Sequence, residues 1–323
     1  MDTYYNFESF DITHIIESSE NKRIEDLFPN YAIIKNEMGE FMDITWKLDF
    51  FPISLNLALS KLNLLYNLKA VYYIGDYVER QLNKKGIKSL YDLKINLRYK
   101  DSASEILNLI KTKQYELLCK NRYIYDLDVA FCFHLNDLLF IDIETLGLYD
   151  NPIILFGLGY YNNNQFEIHG LFARNLEEEI AICEYFKSVI LPRHKCFITY
   201  NGKSFDIPFI ANRLLYFFDE NPMIAENQIP YKQSNSRYHH IDLYHNCRRK
   251  FKGYYNRYTL TDMEEKLLNL KRENELPSHL VGFCYEKYLE NPEHYIGLIK
   301  QVIDHNYWDV YSMPLILQKL LEI

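Results

Sequence analysis

Residues 135–148 read LNDLLFIDIETLGL. The stretch Leu135–Ile143 predicts a strand, and because side chains alternate with a period of two, Asp142 and Glu144 project from one face at its end. Two adjacent carboxylates repel each other unless a cation lies between them, and oxygen ligands of this kind suit magnesium or manganese. Most D-x-E strings are solvated acids on an exposed strand end. Here the flanking Phe140, Ile141 and Ile143 argue for a buried strand.

Working outward, Ile153–Tyr161 (IILFGLGYY) and Phe166–Phe172 (FEIHGLF) predict two more strands, with Asn162–Asn164 as the turn between them. A helix follows, capped by Asn175, with Glu177–Glu179 at its positive end and apolar side chains to Ile190 before Pro192. Lys195–Tyr200 (KCFITY) reads as a fourth strand, and a turn through Asn201 and Gly202 leads to a helix from about Ser204 to Phe218. A short strand is expected at His240–Leu243. The remainder reads as helical, with a T-x-x-E capping box at Thr261 and Glu264 and a long final helix broken or restarted at Pro314. Two hairpins followed by a parallel strand reached through a crossover helix give an α/β fold, a ribonuclease-H-like mixed sheet flanked by helices.

Two further acids stand at informative places. In YNGKSFDIPFI (200–210) Asp206 falls in the first turn of a helix, where the helix dipole favours a negative charge. In VIDHNYWDVYSM (302–313) His305 and Asp309 are four apart on one helix face, among apolar residues that would bury a charge needing a partner.

Taken in order, FIDIETLGL, YNGKSFDIPFI and HNYWDV resemble the three motifs of the DEDD, or DnaQ-like, superfamily of 3′→5′ exonucleases, most closely its YprB-like ribonuclease-H-like branch. HHIDLYHNCRRKF and the helical stretch after it resemble the linker between the second and third motifs. The resemblance covers residues 131–323, 193 of 323. It implies that Asp142, Glu144, Asp206 and Asp309 hold two divalent ions, Mg2+ or Mn2+, with Asp142 bridging and Asp206 on the second ion. It also implies that His305 is the general base. One departure stands out: the histidine subclass places its His five residues before the last Asp, where this chain has Asp304, while His305 takes the phase of the tyrosine subclass.

Charge decides where a nucleic acid could be held. The chain carries a net charge of −8, with 36 basic and 44 acidic side chains. Residues 1–50 sum to −7, 51–130 to +5 and 131–323 to −6. Any anionic partner therefore needs local patches. Between Lys232 and Arg257 seven basic residues (Lys232, Arg237, Arg248, Arg249, Lys250, Lys252, Arg257) meet one acid, Asp242, and are interleaved with Phe251, Tyr254 and Tyr255. Such a run is either a phosphate track with rings for stacking bases or a solvated face. The candidate substrate contacts are Thr145, Asn201, Lys203, Ser204, Arg248, Arg249, Lys250 and Tyr254. A helix-hairpin-helix-like element, or a plain helical hairpin with a lysine loop, is expected at about 71–93, around Gly75 and Gly86.

The domain reading is a mainly helical N-terminal region at 1–130 and the exonuclease domain at 131–323. Six scattered cysteines without metal-ligand spacing, no basic leader, and a most apolar stretch (48–68) interrupted by Asp49, Pro52 and Lys61 point to a cytoplasmic protein with no membrane segment. The expected activity is a metal-dependent nuclease, a 3′→5′ exonuclease on single-stranded DNA or RNA. The alternatives are a nucleic-acid-binding module without turnover and a partner-binding protein using the acidic first 50 residues.

Overall fold

In a computed structural model, which describes residues 12–19, 22–48, 55–162, 165–223, 237–272 and 275–322, seven strands form one mixed sheet in the order β1-β2-β5-β4-β3-β6-β7. The strands are β1 (Tyr31–Asn36), β2 (Gly39–Leu48), β3 (Leu138–Thr145), β4 (Ile153–Asn162), β5 (Gln165–Phe172), β6 (Cys196–Thr199) and β7 (His239–Asp242). β3, β4 and β5 form the antiparallel meander expected, and β6 and β7 join β3 in parallel, so the C-terminal ends of three neighbouring strands lie together. Asn163 and Asn164 of the expected turn, and Lys232, lie outside the described residues.

The N-terminal region is mainly helical, as expected, and also supplies two strands. Residues 31–48, assigned to a mainly helical region, form a hairpin whose second strand pairs antiparallel with β5 from Met42↔Phe172 to Leu48↔Phe166. By its contacts the chain makes two units, Met1–Ile53 with Asn136–Leu317 and Ser54–Leu135 with Gln318–Ile323. A boundary at 130/131 therefore separates residues that share one sheet. The signal was present in the alternation of β2, where Phe41 and Met42 bury opposite faces, but its partner residues in β5 lie 118 to 130 positions away.

Within Ser54–Leu135 the chain is helical. α1 (Ala58–Leu65), α2 (Asp76–Lys84) and α3 (Lys100–Lys111) bury Leu64, Leu82, Ile106 and Ile110 with Leu68, Val71, Leu90 and Val129. Past α2 the backbone turns at Gly86, whose φ of +81° suits a residue without a Cβ, and a single helical turn, Leu90–Leu93, is capped by Ser89 and Asp92. The second helix of the expected hairpin element is thus one turn long.

One face of the sheet is covered by α4 (Glu179–Tyr185) and α5 (Asp206–Phe218), which pack on Leu139, Ile141, Ile143, Phe156 and Leu158. Asn175 caps the turn leading into α4 as expected, and helical backbone continues to Ile190. Buried Arg213 of α5 grips buried Glu179 of α4 at 2.7 and 2.6 Å, and Glu179 also accepts the Ile153 N–H. β7 leads into α6 (Leu243–Lys250). The other face receives α7 (Val281–Glu290) and the long α8 (Pro292–Glu322), which bury Tyr285, Ile299, Val302 and Ile303 with Ile44, Leu155 and Phe172.

Two local expectations are corrected. The capping box lies at Thr259 and Asp262, because Thr259 has the extended backbone an N-cap requires, and Glu264 is used elsewhere. α8 runs unbroken through Pro314; its neighbours Met313, Leu315, Ile316 and Leu317 are buried, and that packing outweighs the one hydrogen bond proline cannot donate.

Candidate active site

Alternation along β3 sends Leu139, Ile141 and Ile143 into the core beneath α4 and α5, so Asp142 and Glu144 face α8. Asp142 is fixed there by Asn306 of α8, whose Nδ2 donates to its Oδ2 at 2.7 Å. Glu144 is buried, and its Oε1 lies 3.9 Å from Nε2 of His305, one residue before Asn306 on the same helix. The pairing of β3 and β4 shifts register between Glu144 and Thr145, where the chain leaves the sheet.

Asp206 arrives from the other side. β6 pairs with β3 only from Leu138 to Phe140, so the Ile143 N–H is left without a strand partner, and Asp206 at the start of α5 accepts it at 3.0 Å. The turn that delivers α5 is held by Asp242, fully buried at the end of β7. Its carboxylate accepts from the N–H groups of Asn201 (2.9 Å), Lys203 (3.0 Å) and Tyr244 (3.1 Å). Asn201 sits in the left-handed region at φ +66°, which its short amide side chain tolerates. Asp242 therefore acts through the backbone of the turn before Asp206.

Asp309 joins the group from α8. Its Oδ2 is 3.6 Å from His305 Nε2, and its Oδ1 takes a 2.6 Å ion pair from Arg272. The Arg272 side chain is buried and also engages Glu264 and Glu275. His305 Nδ1 lies 3.4 Å from Glu275. Ligand atoms of Glu144, His305 and Asp309 all fall within 4.8 Å of one another. Asp304, which holds the position of the base in the histidine subclass, pairs instead with Lys300 one turn back.

The electrostatics follow from burying like charges together. Burial, then Asp309, Asp206 and Glu144, push the Asp142 carboxyl well up from its ordinary value, against the bond from Asn306. Burial raises Glu144 to about 8 and Asp206 to about 7, the latter despite the bond from Ile143 N–H. For His305 burial works downward, but Asp309, Glu275 and Glu144 outweigh it and raise the imidazole to about 9. A set of converging carboxylates with one imidazole, made costly by its own charge, fits hard divalent cations.

The candidate substrate residues are spread more widely. The Thr145 hydroxyl donates to the Gly147 carbonyl at 2.9 Å, and Asn201, Lys203 and Ser204 form the turn before α5. Arg248, Arg249 and Lys250 stand in the last turn of α6, where Arg248 lies over the Tyr244 ring and Arg249 donates to Asn246. Tyr254 is exposed and lines a surface depression with Tyr255, Arg257 and Lys266. Sequence reasoning missed Asn306, Arg272, Glu264 and Glu275. Asn306 lies inside HNYWDV, but KRENE (271–275) reads as solvated charge until Asp309 is seen beside it.

A mixed sheet with acids at the C-terminal ends of its central strands is a ribonuclease-H-like, nuclease-type architecture. Residues 139–321 match the family model described as RNase_H superfamily, and the chain belongs to that superfamily. Over 181 residues it is 29% identical to "Uncharacterized protein YprB" of Bacillus subtilis (strain 168), covering 55% of this chain and 40% of that protein. The chain thus spans less than half the length of that relative. Among solved structures, a family B DNA polymerase from the hyperthermophilic archaeon Pyrobaculum calidifontis is similar with a TM-score of 0.41 and 19% identity, over 55% of this chain and 23% of that one.

Proposed function

We propose that the protein is a two-metal-dependent nuclease that hydrolyses phosphodiester bonds, a 3′→5′ exonuclease on single-stranded DNA or RNA in the cytoplasm. The observation that carries this reading is geometric: Glu144, His305 and Asp309 bring ligand atoms within 4.8 Å of one another beside Asp142, which Asn306 holds, and Asp206, which accepts the Ile143 N–H from the same strand. Asp142, Glu144, Asp206 and Asp309 would hold Mg2+ or Mn2+. When bound, the ions supply counter-charge for the phosphate and lower the pKa of the attacking water. Asn306 orients Asp142, and Arg272 orients Asp309 through Oδ1. His305, with Nε2 facing both Glu144 and Asp309, would serve as the general base once bound cations offset those two carboxylates, because with the acids uncompensated the imidazole stays protonated up to about 9.

The test is incubation of purified protein with Mg2+ or Mn2+ and matched 3′- and 5′-labelled DNA and RNA oligonucleotides. Stepwise shortening from the 3′ end, abolished by chelator and by Asp142→Ala, is expected; no chelator-sensitive product from any substrate would remove the proposal. A second reading, a binding module without turnover, draws on Arg272, which already neutralises Asp309. It predicts oligonucleotide binding that survives Asp142→Ala, with no product from the unaltered protein.

A further inference from the structure

We propose that the helical unit carries a binding surface for single-stranded nucleic acid, built from the exposed rings of Tyr72, Tyr73 and Tyr77 and the cations Arg80, Lys84 and Lys85. The choice of nucleic acid rests on the nuclease reading; the surface is argued from its own residues.

Charge comes first. Residues 51–130 sum to +5, whereas the rest of the chain sums to −13, so a polyanion is attracted to this segment and repelled by the remainder. Within α2 the pattern is one-sided. Tyr77, Arg80 and Lys84 recur at spacings of three, four and seven, which is one helix face, and all three are exposed. Of the two acids of α2, Asp76 and Glu79, both lie against Lys69, at 2.7 and 3.5 Å, which offsets one of their two charges. The stripe ends at the Gly86 turn, where Lys85 and Lys88 are also exposed.

The rings select the partner. Tyr72, Tyr73 and Tyr77 are 71%, 76% and 69% exposed, a concentration of bare aromatic surface that marks an interaction site. Tyr73 has a φ of +68°, a conformation bulky residues rarely adopt, and it meets Tyr72 edge to face at 4.2 Å. Stacking on such rings is open only to unpaired bases and tolerates any sequence, whereas duplex would engage the cations alone.

The test measures binding of the full-length chain in chelator, so that cleavage plays no part. Fluorescence anisotropy is read with labelled dT20, rU20 and a 20-base-pair duplex over a salt series, alongside solution mass by light scattering. Two triple variants, each at exposed positions, are compared: Tyr72→Ser with Tyr73→Asn and Tyr77→Ser, and Lys84→Gln with Lys85→Gln and Lys88→Gln. Each is expected to weaken single-strand binding about 10-fold or more. The lysine set should reduce the salt slope by about 2, at about 0.7 per lost phosphate contact, and the tyrosine set should leave the slope unchanged. The ratio of dT20 to rU20 affinity tells which nucleic acid is preferred. Unaltered binding in both variants, or duplex bound as tightly as single strand, would overturn the proposal. So would a dimer lost with the tyrosines in the absence of oligonucleotide binding, which would assign the face to a second copy of the chain. Tight binding in chelator without cleavage in Mn2+ would instead sink the nuclease reading and leave this surface standing.

Discussion

Asn306 shows how much of a site depends on a side chain that carries no charge. Its amide pins one oxygen of Asp142, and the same residue lies against Gly157, where an added Cβ would come within 2.1 Å of its Oδ1. Partners that orient a ligand typically contribute 10–100-fold to metal affinity or activity. Asn306→Ala is therefore expected to weaken Mn2+ binding by about that factor, measured by calorimetry, while far-UV dichroism stays unchanged; unaltered binding would show that Asp142 needs no positioning. His194, distant in sequence from this cluster, offers a prediction in pH. Burial lowers its imidazole to about 4, aided by Arg193 and opposed by backbone groups of Asn136 and Leu138 and by Asp137. The folded state then binds fewer protons than the unfolded state between pH 6.5 and about 4. Stability is full above that window and lost as pH falls through it, by up to about 3 kcal/mol. Denaturant titrations of the wild type and His194→Gln across this range should converge in slope if another group dominates, and differ if His194 does.

At the scale of elements, the close approach of α8 to the sheet is set by glycine in β4. Besides Gly157 beneath Asn306, Gly159 lies beneath Val310, where an added Cβ would come within 2.7 Å of the valine. Gly157→Ala should force Asn306 out of its position and cost about 1–3 kcal/mol by overpacking, and on the proposed nuclease reading it should lower cleavage by more than the stability loss explains. Urea unfolding and single-turnover cleavage measure the two effects separately. Equal activity per folded molecule would refute the coupling. In sequence, IILFGLGYY reads plainly as a strand, yet the purpose of its glycines cannot be read there, because the neighbours that require them, Asn306 and Val310, are 149 and 151 residues away. The same holds for KRENE: charge density is visible, but burial against Asp309 is a product of packing.

For the whole molecule, the sheet unit holds the candidate metal acids, so any divalent cation bound there would raise the stability of its folded form. At a Mn2+ concentration 100 times Kd the gain is about 2.7 kcal/mol. The thermal transition of the sheet unit should rise by a few degrees with Mn2+ and stay fixed in a Glu144→Gln, Asp309→Asn protein; an equal rise in both would place the ion elsewhere. Among the described residues no helix is long and apolar enough to cross a membrane, and none of the six cysteines is in a disulfide.

Local periodicity was enough to read β3 to β7 and to place Asp142, Glu144, Asp206, His305 and Asp309 on definite faces of strands and helices, because a face depends only on residue spacing. The β1–β2 hairpin, the unbroken course through Pro314, the turn held by Asp242, and the grip of Asn306 and Arg272 on the acids were decided by the folded chain. Each requires groups far apart in sequence to meet, and the energy of such a meeting lies in burial and complementary charge that appear only once the sheet and α8 have packed together.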